Sequence, residues 1–207
     1  MVESSVAEAV VILRRGGVVA FPTETYYGLA VDPGNENALK RLYRLKRREP
    51  EKAILVLIEN SDKITSVAAS VPDQYIPLMA KYWPGALTMI FPAKKSLSTI
   101  LTGNTGTVAV RVSPHPLARA LVQTFGKAVT ATSANLSGQS PARSASEVRN
   151  TFGDRVDYII DGGQTIAGRC STLVGIRKTK LIILREGQVD LTNDSNFSSL
   201  SSEAVRE

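Results

Sequence analysis

Four apolar runs constrain what this chain can fold into. VVAF (18–21), AILVLI (53–58), ALTMIF (86–91) and TVAVRV (107–112) are too short for core helices and have the length of strands. The last one alternates: Val108, Val110 and Val112 share one face, and Thr107, Ala109 and Arg111 share the other. Helix-period segments separate the runs. Val6, Ala9, Val10 and Leu13 follow an S-x-x-E box at Ser5 and Glu8. A second helix is expected from Asn35 to about Lys46, with Leu39, Leu42 and Tyr43 inward and Lys46 and Arg48 partly exposed at its end. SDKITSVAASV, capped by Ser61 or Asp62, and PDQYIPLMAKYW read as helical. PLARALVQTF lies between Pro116 and Gly126, and Ser144 with Glu147 caps SEVRNTF. VDYIID, STLVGI and KLIILRE supply further strands, the last two joined by a hairpin at IRKTK. The expectation is one mixed α/β (α+β) domain over residues 1–190, followed by a Ser- and Asn-rich tail, 191–207, too polar to pack.

The stretch PTETYYGL, residues 22–29, ends the first strand abruptly. Pro22 lacks an N–H, and five hydrogen-bonding side chains follow it before Gly28. An ordinary loop uses smaller residues. The stretch reads either as a plain strand end with packing tyrosines or as a ligand wall at a strand's carboxyl end.

Charge sharpens the second reading. The chain carries 25 Lys and Arg against 19 Asp and Glu, and KRLYRLKRREPEK (40–52) alone accounts for +5 of the net +6. One local cluster suits one anionic partner at one place, or else a solvated helix face. A lone cysteine, Cys170, excludes an internal disulfide, and with one histidine, His115, it leaves no zinc-type cluster. His115, directly before Pro116, is expected to hydrogen-bond at a helix start. No apolar run reaches membrane-helix length, and the N-terminus lacks a basic signal region. A cytoplasmic protein with no membrane partner is expected.

Phosphate-binding motifs fail on inspection. GGQTIAGRCS (162–171) has Arg169 and Cys170 where a P-loop needs Lys and Ser or Thr, and the strand-like STLV follows it instead of a helix. What remains is a dispersed set at strand ends and in loops. It comprises Thr23; Lys46, Arg48 and Lys52; Thr107 and Arg111; Ser133 and Asn135; and Arg185. Converging on one sheet edge, such groups suit a phosphorylated, carboxylate-bearing ligand.

FPTETYYGLAVDP, LKRREPEKAILVLI, YWPGALTMIF, TVAVRVSPHP, ATSANLSG and LREG occur in this order and resemble the YrdC family in its short form, from about Val6 to Gln188. The resemblance implies a strongly twisted mixed sheet flanked by helices around a large, concave, basic pocket. It implies an enzyme that joins L-threonine, bicarbonate and ATP, with Mg²⁺ arriving on the ATP, into threonylcarbamoyl-AMP and pyrophosphate. Proteins of the tRNA threonylcarbamoyl transfer machinery would then use the product. The resemblance places Lys46, Arg48, Ser133 and Asn135 as the catalytic, nucleotide-side tetrad. Lys52, Thr107, Ser144 and Arg185 join them as expected ATP contacts. Thr23, Arg111 and Ser171 are the expected threonine contacts, Arg111 taking the carboxylate. No protein-held metal is implied. Two features depart from longer relatives. The resemblance is to the short form, so the second domain of the two-domain form is not expected, and Leu57 or Ile58 stands where a histidine is frequent. PTETYYGL becomes pocket wall, with Gly28 allowing the chain to turn. Two other readings stay open: an RNA-binding module without catalysis, and a paralogous enzyme with another carbamoyl or acyl substrate.

Overall fold

A computed structural model describes residues 2–166, 168–192 and 194. In chain order the elements are α1 (Val2–Arg14), β1 (Val19–Phe21), β2 (Gly28–Ala30), α2 (Glu36–Lys46), β3 (Val56–Leu57), α3 (Ile76–Tyr82), β4 (Leu87–Pro92), α4 (Thr99–Thr102), β5 (Thr107–Arg111), α5 (Pro116–Phe125), β6 (Val129–Thr130), β7 (Thr132–Ser133), α6 (Ala145–Phe152), β8 (Tyr158–Ile159), β9 (Thr172–Arg177) and β10 (Lys180–Arg185). The strands do not form one sheet. They divide into a four-stranded sheet, ordered β7-β2-β1-β8, and a six-stranded sheet, ordered β10-β9-β4-β5-β3-β6. Both are mixed: β1 pairs antiparallel with β2 but parallel with β8, and β5 pairs antiparallel with β4 but parallel with β3.

The run AVTATS joins the two sheets. Its first part, β6, pairs with β3, and its second part, β7, pairs with β2. Between them, Ala131 N donates to Leu55 O at 2.9 Å, while Thr130 Oγ1 accepts from Val31 N at 2.8 Å. The sheets therefore part around residue 131, and the space between their edges is where a ligand can enter.

Alternation in TVAVRV sorts its side chains as expected. Val108, Val110 and Val112 enter the main core with Met89, Phe91 and Tyr75. A second core joins Val6, Ala9 and Leu13 of α1 to Leu121 and Phe125 of α5 over Phe21. Several local expectations change. α1 begins at Val2, so Ser5 lies inside the helix rather than at its cap. SDKITS is a 3₁₀ helix capped by Asn60, whose Oδ1 accepts from Asp62 N at 3.0 Å. Ser144 does cap α6, but Glu147 reaches Arg143 N at 2.7 Å instead of closing a box on Ser144. His115 caps α5, its Nδ1 accepting from Leu117 N at 3.3 Å. Packing also runs past residue 190. Leu191 is buried in the main core, and the Asp194 carboxylate pairs with Lys81 at 2.9 Å. Residue 193 and residues 195–207 of the expected tail lie outside the described residues.

Gly28 is not a turn residue. It is the first residue of β2, paired with Phe21, and a Cβ there would sit 3.2 Å from the Phe21 ring. Phe21 is fully buried and has little room to yield. Gly28→Ala is expected to destabilise the fold by about 1–3 kcal/mol through overpacking. Denaturant unfolding checks this, and an unchanged midpoint would show that the ring can move aside.

Candidate functional site

A cavity of about 200 Å³ opens where the sheets part. The PTETYYG stretch forms one wall through Thr23, Thr25, Tyr26, Tyr27 and Gly28. Arg48, Ala53 and Leu55 approach from the segment between α2 and β3, and Ala109 and Arg111 from β5. Ala131 to Ser133 line the crossover, and Cys170, Ser171, Leu173 and Arg185 close the remaining side. Its volume is smaller than the large pocket expected. It suits an amino-acid-sized group, with anything larger extending past the rim.

The wall is firmly built. Thr23 is buried and donates to Tyr26 O at 2.7 Å, and its hydroxyl lies 2.9 Å from that of Thr25. Tyr26 and Tyr27 donate to Gly168 O at 3.0 Å and Gly163 O at 2.8 Å, tying the stretch to the loop before β9. The tyrosines thus act as struts across the cavity's edge.

Lys46 overturns an expectation. It is 1% exposed, not partly solvated. The last turn of α2 and the left-handed Arg47 that ends it (φ 51°) turn Lys46 inward. Its Nζ donates to Ser133 O, to Asn135 O at 2.8 Å and to Asn135 Oδ1 at 3.3 Å. Three acceptors match the three N–H bonds of an ammonium. Burial, and secondarily the charge of Arg48, pull its pKa from 10.5 down to about 7. Ser133 Oγ donates to Asn135 Oδ1 at 2.6 Å, and Asn135 Nδ2 donates to Leu136 O and Gln139 O. Lys46, Ser133 and Asn135 are therefore one hydrogen-bonded unit, with Arg48 beside it on the cavity wall. Arg48 is half-buried and donates to Lys52 O at 2.8 Å and Ala53 O at 2.7 Å.

Arg111 is 3% exposed and also lines the cavity. Its Nη1 lies 3.2 Å from Glu24 Oε1, and its Nε has no hydrogen-bond partner. Ser171 is also buried. Its hydroxyl lies 2.8 Å from that of Thr88 and accepts from Arg185 Nη2 at 3.2 Å. Arg185 donates as well to Ser171 O at 2.9 Å.

The cavity brings together Thr23, Arg48, Arg111, Ser133, Ser171 and Arg185, with Lys46 and Asn135 bonded directly behind Ser133. Three further expected residues have side chains neither on its wall nor bonded to a side chain there. Lys52 points to solvent and pairs with Glu49 at 3.0 Å; only its carbonyl serves the site, by holding Arg48. Thr107 begins β5, with its hydroxyl 2.8 Å from that of Thr105, and Ala109 takes the wall position on its face. Ser144 spends its hydroxyl on the α6 cap. Sequence reasoning missed Glu24, the carboxylate at Arg111. Its only signal was an acid inside a stretch otherwise made of hydroxyls. A larger hollow of about 650 Å³ on the outer side of α2, lined by Lys40, Tyr43 and Arg44, holds none of the expected residues. Among the described residues no group of three or more His, Cys, Asp or Glu gathers as a metal site, and no helix is long and apolar enough to cross a membrane.

Comparison with known proteins agrees with this architecture. A family model for Sua5, YciO and YrdC proteins, described as telomere recombination, matches residues 11–187. A threonylcarbamoyl-AMP synthase of Idiomarina loihiensis is 44% identical over 148 residues, covering 70% of this chain and 79% of that protein. One from Bacillus subtilis is 37% identical over 188 residues, covering 90% of this chain but 54% of its own length. The chain thus spans about half of that longer relative. Among solved structures, Sua5 of P. abyssi complexed with L-threonine superposes with a TM-score of 0.86 at 34% identity, over 89% of this chain and 54% of that one. E. coli YciO superposes at 0.83 with 26% identity, over 91% and 92%. A full-length HypF matches at 0.77 with 16% identity, a likeness of fold alone. With the family model matching residues 11–187 and a relative 44% identical over 70% of the chain, this protein belongs to the Sua5/YciO/YrdC family.

Proposed function

We propose that this protein is an L-threonylcarbamoyladenylate synthase, a nucleotidyltransferase that makes threonylcarbamoyl-AMP and pyrophosphate from L-threonine, bicarbonate and ATP. One observation carries the reading. A single cavity is lined by one group, Arg48 with Ser133 (backed by Lys46 and Asn135), and by a second, buried group, Arg111 and Ser171 with Thr23. The first suits a polyphosphate and the second a hydroxy amino acid. The chemistry asks for no protein nucleophile. Threonine's amine and bicarbonate condense to a carbamate with loss of water. A carbamate oxygen then attacks the α-phosphorus of ATP, the bond to the bridging β-phosphate oxygen breaks, and pyrophosphate leaves. The protein's part is to hold two anions close and to offset charge at the α-phosphate. Lys46 fixes Ser133 and Asn135, while Arg48 and Arg185 face the phosphates at the rim. Arg111 clamps the threonine carboxylate. No carboxylate lines the cavity wall, which fits a Mg²⁺ that would arrive with ATP and offset charge on its phosphates rather than one held by the protein. The product passes to proteins of the tRNA threonylcarbamoyl transfer machinery.

The test is pyrophosphate release with each substrate omitted in turn. Release is expected only with ATP, threonine and bicarbonate together. Equal release without threonine would point to another substrate, and RNA binding without any release would point to a noncatalytic module.

A further inference from the structure

Three guanidiniums line the cavity, but their surroundings differ. Arg48 donates to two backbone carbonyls, and Arg185 to the carbonyl and hydroxyl of Ser171. Neither forms an ion pair among the described residues. Arg111 does, with Glu24 Oε1 at 3.2 Å. The other carboxylate oxygen of Glu24 accepts from Ser113 Oγ at 2.5 Å, and Ser113 Oγ in turn accepts from His115 N at 3.2 Å at the start of α5. Glu24 is thus anchored by the strand end and by the helix start, and it does not itself line the cavity. Glu24 Oε1, which has the ion pair but no hydrogen bond, and Arg111 Nε, which has no hydrogen bond, are both buried. The result is a cavity with two guanidiniums outside any ion pair among the described residues and one inside an ion pair.

We propose that Glu24 is a specificity-determining residue that sorts anions along the cavity. By neutralising Arg111 it keeps multiply charged phosphate out of that end and leaves it to a carboxylate carried on a net-neutral zwitterion. This rests on the proposed function, in which ATP and an amino acid share the cavity. A phosphate gains its affinity largely from net charge, and the Glu24–Arg111 pair offers none. An amino acid needs only local hydrogen bonds, and the Arg111 guanidinium, which lines the cavity, can give them while paired with Glu24. Without the Glu24 charge, Arg111 would face the cavity as a full cation near Arg185, a pair well matched to a divalent anion. The device is a built-in rejection of the wrong ligand rather than added attraction for the right one.

The experiment is calorimetric titration of inorganic pyrophosphate into the full chain, with and without threonine. Glu24→Gln keeps an acceptor for Ser113 and loses the charge. Its pyrophosphate affinity is expected to rise at least tenfold over wild type, and threonine should displace the added pyrophosphate. Ser113→Ala, which keeps the charge, should bind pyrophosphate as wild type does. An unchanged affinity in Glu24→Gln, a gain that threonine leaves in place, or an equal gain in Ser113→Ala would each overturn the inference. If Glu24→Gln does not fold, wild-type background variants decide. Arg111→Ala should leave pyrophosphate affinity within about twofold while Arg185→Ala lowers it about tenfold, and equal losses would overturn the inference. Pyrophosphate binding needs no turnover. A wild type without threonine-dependent activity therefore defeats the proposed function, whereas these affinities judge Glu24.

Discussion

Lys46→Ala is expected to lose ATP use and fold stability together. The side chain is buried, and its removal leaves Asn135 O without its hydrogen bond and takes one of two from Ser133 O and Asn135 Oδ1, which keep those from Asn135 N and Ser133 Oγ. Leaving such groups unpaired beside a new cavity costs about 2–4 kcal/mol. It also frees the Ser133–Asn135 segment that shapes the nucleotide side, so turnover should fall at least 100-fold even well below the melting temperature. Arg48→Ala offers the contrast. Arg48 is half-buried and bonded to two carbonyls, so its loss should remove ATP affinity with a smaller stability cost, about 1 kcal/mol. Melts and ATP titrations of the two variants separate a scaffold cation from a ligand cation. Similar melts for both would contradict the placement of Lys46.

Lys46 also predicts a pH dependence. Its folded pKa of about 7 lies below the ordinary lysine value of 10.5 that holds when the chain unfolds. Between those values the unfolded chain binds the extra proton, so this group's contribution to stability rises with pH from about 7 to about 10.5, by up to about 1.4 kcal/mol per pH unit. Lys46→Met should remove that slope. A variant with the same pH profile as wild type would mean that the ammonium titrates normally.

Arg111→Ala is expected to remove threonine binding and leave ATP binding nearly intact. Truncating one member of a buried, hydrogen-bonded charge pair costs on the order of 2–4 kcal/mol, which is about 30- to 1,000-fold in affinity. The loss should fall on threonine because the proposed function gives its carboxylate to Arg111, which lines the cavity with Ser171, while the expected ATP contact Thr107 lies off the wall. Arg111→Lys should recover only part, since an ammonium cannot meet a carboxylate with two parallel N–H bonds. The melting temperature will drop because Glu24 loses its partner, so titrations belong below it. Normal threonine binding with lost ATP binding would mean that the two substrates occupy opposite ends from those assigned.

What the sequence made legible was whatever local pattern encodes. The alternation of TVAVRV placed the valines in the core, and Pro22 marked where β1 gives way to the cavity wall. Pro116 and Gly126 bounded α5 as expected. What it hid depends on distant partners. Lys46 looks like a solvated helix end because its acceptors lie 87 and 89 residues further on. Glu24 finds Arg111 and Ser113 only after both sheets have formed, so nothing near it announces an ion pair. AVTATS reads as one strand, and its division between two sheets becomes visible only through its different partners on β3 and β2. The family resemblance supplied the grouping of Lys46, Arg48, Ser133 and Asn135, which no spacing in the chain implies. It also included Thr107, Ser144 and Lys52, whose hydroxyls or ammonium turn to local caps and pairs here.

The central claim is that one cavity joins an amino-acid carbamate to the α-phosphate of ATP. The most direct measurement is mass spectrometry of the product formed from ATP, L-threonine and ¹³C-bicarbonate. The prediction is an adenylate that carries both the threonine mass and the single labelled carbon, and its absence from Arg111→Ala reactions at the same threonine concentration. An adenylate of threonine without the labelled carbon, or AMP and pyrophosphate alone, would contradict it.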